Sequence, residues 1–330
     1  MTITIKEIAE ISGVSTATVS RVINSPDKVS DKTKKNVLEV INKYDYKPNQ
    51  LAKNFSSNRT NNIALFIYDI VNPFFTELIK ELNTLSFDRG YSLIICDSEN
   101  KKERELEYID YINRNKFAGV ILTEGISDDP AEELKDSYPI VSIDREIERC
   151  ANYSLITSAN LVGAKKAMEY LVTLNHQKIG FIAGKEGMKT ANDRKKGYLE
   201  IVEKYELPVD KSYIYEGDFS RESGVKALEY FLSLEESPTA IFSSNDLMAE
   251  GLLARAFSLN IDIPQDLSVV GFDGTSPDIN YELTTVKQSI RKIAEKSIEE
   301  LSNRIKGTVE EKNVFKIPVE LVVGETCQKI

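Results

Sequence analysis

Eight short runs rich in β-branched residues decide what most of this chain can fold into. They lie at 63–67, 92–96, 119–122, 140–143, 178–183, 213–215, 240–242 and 268–272. Stretches with helical spacing of apolar residues separate many of them, at 73–89, 160–173, 194–205, 222–234 and 247–259, and another comes later at 290–305. Strands separated by helices return by crossovers rather than hairpins, so the pattern predicts βαβ units and parallel sheets. At 330 residues, two or three domains fit.

The residues just past these runs point to a site. The runs lead into Asp69, Asp97, Glu124, Asp144-Arg145, Asp218-Phe219, Asn245-Asp246 and Asp273. Ligands of open parallel sheets bind beyond the carboxyl ends of the strands. Any one of these acids could simply cap the next turn or helix. Seven such ends together predict a polar crevice whose carboxylates accept hydroxyls and whose aromatics cover an apolar face.

Enzyme chemistry finds little to work with. The chain has no phosphate loop, and no Gly-x-Gly-x-x-Gly follows a strand. His176, the single histidine, sits in Asn175-His176-Gln177-Lys178 and reads as a structural loop residue. Three scattered cysteines, Cys96, Cys150 and Cys327, suit neither a metal site nor a disulfide framework. No metal and no cofactor are expected. Residues 1–7 lack the basic start and apolar stretch of a secretion signal, and no apolar run is long enough to span a membrane, so a cytoplasmic location is expected.

The first sixty residues differ in charge from the rest. They hold ten Lys and Arg against six Asp and Glu, a balance of +4 within a chain of net −10. A basic head on an acidic body suggests a polyanion-binding module joined to something else. Thr4 and Glu7 form a capping-box pattern, followed by Ile8, Ala9 and Ile11 on an apolar face. Gly13 allows a tight turn, and Ser15 can cap a second helix over 16–23. That helix buries Val19 and Val22 and exposes Thr16, Ala17, Ser20 and Arg21. A third helix over 31–44 turns Val37, Leu38 and Ile41 inward. Two short helices joined by a glycine turn form a helix-turn-helix, although any small three-helix bundle shares the pattern.

Longer stretches carry a resemblance. Ile5-Lys6-Glu7-Ile8-Ala9, then Gly13-Val14-Ser15-Thr16-Ala17-Thr18-Val19-Ser20-Arg21-Val22-Ile23-Asn24, resembles the DNA-binding head of the lactose/galactose repressor (LacI/GalR) family. Tyr46-Lys47-Pro48-Asn49-Gln50-Leu51-Ala52 resembles the start of its hinge helix. Asp69-Ile70-Val71-Asn72-Pro73-Phe74-Phe75, Ser142-Ile143-Asp144-Arg145, Ser244-Asn245-Asp246-Leu247-Met248-Ala249 and Val269-Val270-Gly271-Phe272-Asp273 resemble its sensor. The resemblance covers nearly the whole chain. It implies an all-α helix-turn-helix head (1–46), a hinge helix or linker (47–60) and an α/β two-lobed, periplasmic-binding-protein-like sensor with parallel sheets (61–330). Lobe one would take about 61–158 and 288–318, and lobe two about 160–285 and 319–330, with crossings near 158–162, 284–290 and 317–320.

Roles follow position by position. Thr16, Ala17 and Arg21 lie where the family reads base edges. Thr4, Ser15, Thr18, Ser20, Asn24 and Thr33 are placed for phosphate contacts. Asn49, Leu51, Ala52 and Phe55 belong to the hinge, which enters the minor groove. Phe55 stands where the family usually has a leucine wedge, and Leu51 is the other candidate. For the ligand, the resemblance implies Asp69, Phe74, Phe75, Asp144, Arg145, Thr190, Arg194, Phe219, Asn245, Asp246 and Asp273. Met188 stands where purine-sensing members carry Arg, which argues against a purine. Ala159 and Gly324 replace a frequent Asp and Arg. The partners implied are double-stranded operator DNA, a second copy of the chain, and a sugar or sugar phosphate, the latter served by Arg145, Lys185 and Lys189. A repressor released by its sugar is the expected function. The alternatives are a carbon regulator whose corepressor is a phosphorylated carrier protein, and a solute-binding protein of the same fold.

Overall fold

The computed structural model describes residues 3–24, 26–46, 59–99, 101–125, 127, 129–148, 150–275 and 282–330, apart from the side chains of Asn24 and Asp129. The hinge positions Asn49, Leu51, Ala52 and Phe55 lie outside the described residues. The chain divides into two units, residues 1–60 and 61–330.

The first unit is built from α1 (Ile5–Ser12), α2 (Thr16–Asn24) and α3 (Asp31–Lys43). Thr4 and Glu7 close a reciprocal cap on α1: the Thr4 amide donates to Glu7 Oε2 at 2.7 Å and the Glu7 amide to Thr4 Oγ1 at 3.4 Å. Gly13 then turns the chain at φ 65°, a left-handed conformation open to glycine. Ser15 Oγ accepts the Thr18 amide at 3.1 Å and starts α2. Asn36 Nδ2 donates to the Ser12 carbonyl at 2.8 Å, fastening α3 to the end of α1. Ile8, Ala9, Val19, Val22, Val37 and Tyr46 fill the core. Two expected core residues face outward instead, Ile11 at 49% exposure and Leu38 at 37%. The inner line of α1 runs through Ile8, Ala9 and Ser12, and that of α3 through Val37, Val40 and Ile41. Each outlier sits about a quarter-turn off its line. Ser20, expected exposed, is half-buried.

The second unit holds two six-stranded sheets. One combines β1 (Asn62–Ile67), β2 (Ser92–Asp97), β3 (Gly119–Thr123), β4 (Ile140–Ile143), β5 (Ser154–Ser158) and β11 (Asn313–Ile317), in the order β11-β5-β4-β3-β1-β2. Its pairings are all parallel. The other combines β6 (Ile179–Ile182), β7 (Ile214–Tyr215), β8 (Ala240–Ser243), β9 (Ser268–Asp273), β10 (Thr284–Gln288) and β12 (Val319–Val322), in the order β12-β10-β9-β8-β6-β7. It is parallel except where β12 runs against β10. The helices of this unit are α4 (Pro73–Asp88), α5 (Lys102–Asn115), α6 (Asp129–Leu134), α7 (Asn160–Thr173), α8 (Lys189–Lys204), α9 (Arg221–Leu232), α10 (Asp246–Ser258) and α11 (Ile290–Ile305).

The two sheets share one winding order, which reverses between β1 and β3 and again between β6 and β8. Such reversal points leave a crevice at the strand ends. The chain passes between sheets three times: from β5 into α7, from β10 into α11, and from β11 into β12. The Ala159 amide donates to the Ile317 carbonyl at 2.9 Å, tying the first passage to the third. His176 is buried. Its Nδ1 pairs with Thr239 Oγ1 at 2.9 Å, and its Nε2 lies 3.0 Å from Ser268 Oγ and 3.1 Å from the Gln328 carbonyl. It therefore pins the C-terminal segment to the second sheet, and burial lowers its pKa.

Helices α9 and α10 touch through glycines. A Cβ on Gly224 would lie 1.8 Å from the Met248 carbonyl oxygen, and one on Gly251 would lie 1.9 Å from that of Arg221. Gly251→Ala must push the helices apart. It is expected to cost about 1–3 kcal/mol, the usual range for overpacking. Thermal unfolding of the full chain reads this as a drop of several degrees, and an unchanged midpoint would contradict the tight crossing.

Candidate functional site

Two places could carry function. The first is the outer face of α2. Thr16, Ala17 and Arg21 are exposed there. Ser15 and Thr18 are joined at 2.9 Å between their hydroxyls, as are Ser30 and Thr33. Thr4 Oγ1 lies 2.9 Å from Glu7 Oε2. A short helix held by caps at its start and by Val19 and Val22 beneath presents a rigid polar face of major-groove width.

The second is a cavity of about 50 Å³ between the two sheets. Tyr68, Thr123, Glu124, Ile143 and Asp144 reach it from the ends of β1, β3 and β4. Asn72, Phe74 and Phe75 come from the start of α4, where Asn72 Oδ1 accepts the Phe74 amide at 3.0 Å and Pro73 opens the helix. Thr190, Arg194, Phe219, Asn245, Asp273 and Gln288 arrive from the second sheet's side. Phe75 meets Tyr68 and Phe74 edge-on, with centroids 5.0 and 5.4 Å apart, forming one apolar wall.

At the centre lies Arg194, 4% exposed. Its Nε donates to Asn160 Oδ1 at 3.0 Å, and its Nη1 to Asp273 Oδ1 at 3.3 Å and to the Ser244 carbonyl. The guanidinium carbon stacks 3.8 Å from the centroid of Phe272. Asp273, at a left-handed φ of 125°, also accepts Gln288 Nε2 at 2.8 Å. Gln288 lines the cavity, and its Oε1 is buried without a hydrogen-bond partner among the described residues. Across the cavity Asp144 Oδ1 accepts Thr157 Oγ1 at 2.7 Å and the Ser158 amide at 3.1 Å. Burial raises both Asp144 and Asp273 above the usual carboxylate range, opposed by the nearby Arg194 charge.

Eight of the eleven ligand positions inferred from sequence meet here: Phe74, Phe75, Asp144, Thr190, Arg194, Phe219, Asn245 and Asp273. Three do not line the cavity. Asp69 accepts the Val71 amide at 3.0 Å and shapes a turn. Arg145 donates to the Ser127 carbonyl at 2.7 Å and faces a neighbouring hollow with Lys185 and Lys189. Asp246 is fully buried, accepting Thr285 Oγ1 at 2.6 Å and the Thr275 amide at 2.8 Å. Asp97 and Asp218 accept amides two residues on, from Glu99 at 3.2 Å and Ser220 at 2.9 Å. Tyr68, Asn72, Thr123, Ile143, Met188 and Gln288 line the cavity without having been inferred as ligand residues, and Glu124, expected at the crevice as a strand-end acid, lines it too. Tyr68, Thr123 and Gln288 stand at or just past strand ends, the signal that exposed the acids. Gly324 needs no side chain, because a Cβ there would meet the Glu282 carbonyl oxygen at 2.0 Å.

The comparisons with known proteins fit both places. The description "Bacterial regulatory proteins, lacI family" matches residues 4–49, and "Periplasmic binding protein-like domain" matches residues 168–327. The HTH-type transcriptional repressor PurR of Photobacterium profundum is 30% identical over 332 residues, 99% of each chain. The chain belongs to the LacI family. It is a DNA-binding transcriptional repressor with the periplasmic-binding-protein-like fold. Among solved structures, the Lac repressor dimer bound to operator and the anti-inducer ONPF is 25% identical, with a TM-score of 0.82 over 99% of this chain and 100% of that one. The transcriptional regulator CelR in complex with cellobiose is 26% identical, with a TM-score of 0.75 over 98% of this chain and 99% of that one.

One lining residue of this LacI-family chain titrates near neutrality. Burial, aided by Asp144, pushes Glu124 up to about 7, against the hydrogen bonds from Thr190 and from the Thr190 and Lys189 amides. The folded protein therefore keeps a proton that the unfolded chain releases from about pH 4.5 upward. Stability falls as pH rises through this window and levels off above it. Glu124→Gln is expected to flatten that part of the curve. The unfolding midpoint of the wild type, relative to the variant, should decline from about pH 5 to about pH 8. A constant difference would contradict the assignment.

Proposed function

We propose that this repressor leaves its operator when an uncharged sugar binds between the two lobes of residues 61–330. The observation that carries the reading is the lining of the crevice. Acceptors dominate it: the carboxylates of Glu124, Asp144 and Asp273 and the unpartnered Gln288 oxygen, beside the Phe74 and Phe75 wall. Sugar hydroxyls donate to the first set, and the apolar face of a sugar ring lies on the second. The structural relative solved with cellobiose supports a carbohydrate. A cavity of about 50 Å³ is well below the roughly 300 Å³ common for small-molecule sites, so entry requires the lobes to part.

On the DNA side, Arg21, Thr16 and Ala17 read base edges in the major groove, with Arg21 gripping a guanine through O6 and N7. Thr4, Ser15, Thr18, Ser20, Asn24 and Thr33 hold phosphates. The repressor acts as a homodimer on a two-fold operator, in keeping with the operator-bound Lac repressor dimer, and it works in the cytoplasm without catalysing a reaction.

Two measurements test the reading. Arg21→Ala should weaken operator binding by about 1–3 kcal/mol and relax preference at one base pair, read by titration of operator variants at fixed salt. Uniform weakening across all base changes would make Arg21 a phosphate contact. Arg194→Lys keeps the charge but loses the fork. The full-length variant should bind operator as the wild type does and no longer release it when sugar is added. Loss of operator binding would overturn Arg194 as an effector residue.

A further inference from the structure

Helix α8 begins without a cap of its own. Met188 stands at its N-cap position and makes no side-chain hydrogen bond to the helix start. The missing cap comes from the opposite side of the crevice. Glu124, just past β3 of the first sheet, accepts the Lys189 amide, the Thr190 amide at 3.2 Å and Thr190 Oγ1 at 2.5 Å. A helix N-terminus attracts anions through its open amides and its dipole. Here a carboxylate carried by the protein itself fills that role and joins the two lobes.

The remaining charges point the same way. Arg194 is the one cation lining the cavity among the described residues, and it is already bound to Asp273, Asn160 and the Ser244 carbonyl. The basic residues outside the cavity have occupations too. Lys189 Nζ pairs with Asp193 at 3.2 Å, and Arg145 donates to the Ser127 carbonyl. An incoming phosphate or carboxylate would meet Glu124, Asp144 and Asp273 with no uncommitted cation in the cavity. A hydroxyl would instead find acceptors in the same carboxylates.

We propose that Glu124 is the charge filter of the crevice: seated across the cavity on the α8 amides, it occupies the place an anionic ligand group would take, so the site admits uncharged polyhydroxy ligands and turns away their phosphorylated or carboxylated counterparts. The proposal rests on the reading of the crevice as the effector site. Glu124 acts on binding directly, as a lining residue.

The test uses the full-length protein, with thermal unfolding as readout, at about pH 8.5 so that Glu124 is ionised. Wild type, Glu124→Ser and Glu124→Gln are each titrated with inorganic phosphate and with matched pairs: ribose and ribose 5-phosphate, glucose and glucose 6-phosphate. Cellobiose is included as a neutral disaccharide. The wild type should be stabilised by a neutral sugar and unmoved by any phosphate. Glu124→Ser should gain saturable stabilisation by phosphate or a sugar phosphate, with apparent affinity at least about tenfold above the wild type. Glu124→Gln keeps the length and one acceptor, so it reports on charge if the serine variant unfolds at low temperature. Two results overturn the filter: phosphates stabilising the wild type as well as neutral sugars do, or cooperatively folded variants showing no gain for phosphate. If no neutral sugar moves any of the three proteins, the sugar reading of the crevice fails, and the phosphate comparison alone decides Glu124.

Discussion

A single buried guanidinium organises the sensor. Arg194 lies between Asn160 and Asp273, and both partners lead to a passage between the sheets. Asn160 is the first residue of α7, immediately after the chain leaves β5, and its Nδ2 donates back to the Ser158 carbonyl at 3.2 Å. Asp273 holds Gln288, the last residue of β10, two residues before α11. An unpaired charge at 4% exposure would be costly, and removing one partner of such a pair destabilises more than the pair itself contributes. The network therefore works as a unit. Through Asn160 and Gln288 it reaches two of the three passages between the sheets.

Much of this was legible in the sequence, because parallel strands and capped helices rest on local patterns. The eight apolar runs became strands, and the helices predicted over 160–173 and 290–305 match α7 and α11 to the residue. What the pattern missed has a common cause. β5 reads Ser-Leu-Ile-Thr-Ser and β10 Thr-Thr-Val-Lys-Gln, too polar to stand out, yet neighbouring strands and helices bury most of their residues. β11 and β12 lie at sheet edges and alternate in exposure. Helix α5 opens at Lys101 without a side-chain cap, and its charged sequence buries only Glu105, Ile109 and Ile112. Tertiary context decides such segments, and no local signal announces it.

The acids after the strands show where sequence reasoning about a site reaches its limit. A carboxylate two residues before an amide it can accept closes a turn, as Asp69, Asp97 and Asp218 do. A carboxylate met by donors from the neighbouring chain becomes buried structure, as Asp246 does with the Thr285 hydroxyl and the Thr275 amide. All of them lie within three residues of a strand's carboxyl end. What separates Asp144 and Asp273 from the rest is the cavity between the sheets together with Arg194, which lies 79 residues before Asp273 in the chain. Both are properties of the folded chain.

Coupling between the crevice and the DNA-reading head is bounded by differential affinity. A ligand that contacted both arrangements of the lobes equally would bind without effect. Glu124, past a strand of the first sheet, ties to the α8 amides on the second sheet's side, and such a tie contributes to the difference only where the other arrangement lacks it. The Arg194 network reaches two passages directly, and the Ala159 to Ile317 bond brings in the third. A proposed sugar that replaces Glu124 at α8, or bridges it, therefore exchanges one interlobe contact for another. Only the surplus of that exchange is available to move the repressor off its operator, and couplings of about 1–3 kcal/mol are what such systems deliver. An exchange of that size lies within reach of a few hydroxyl-to-carboxylate hydrogen bonds.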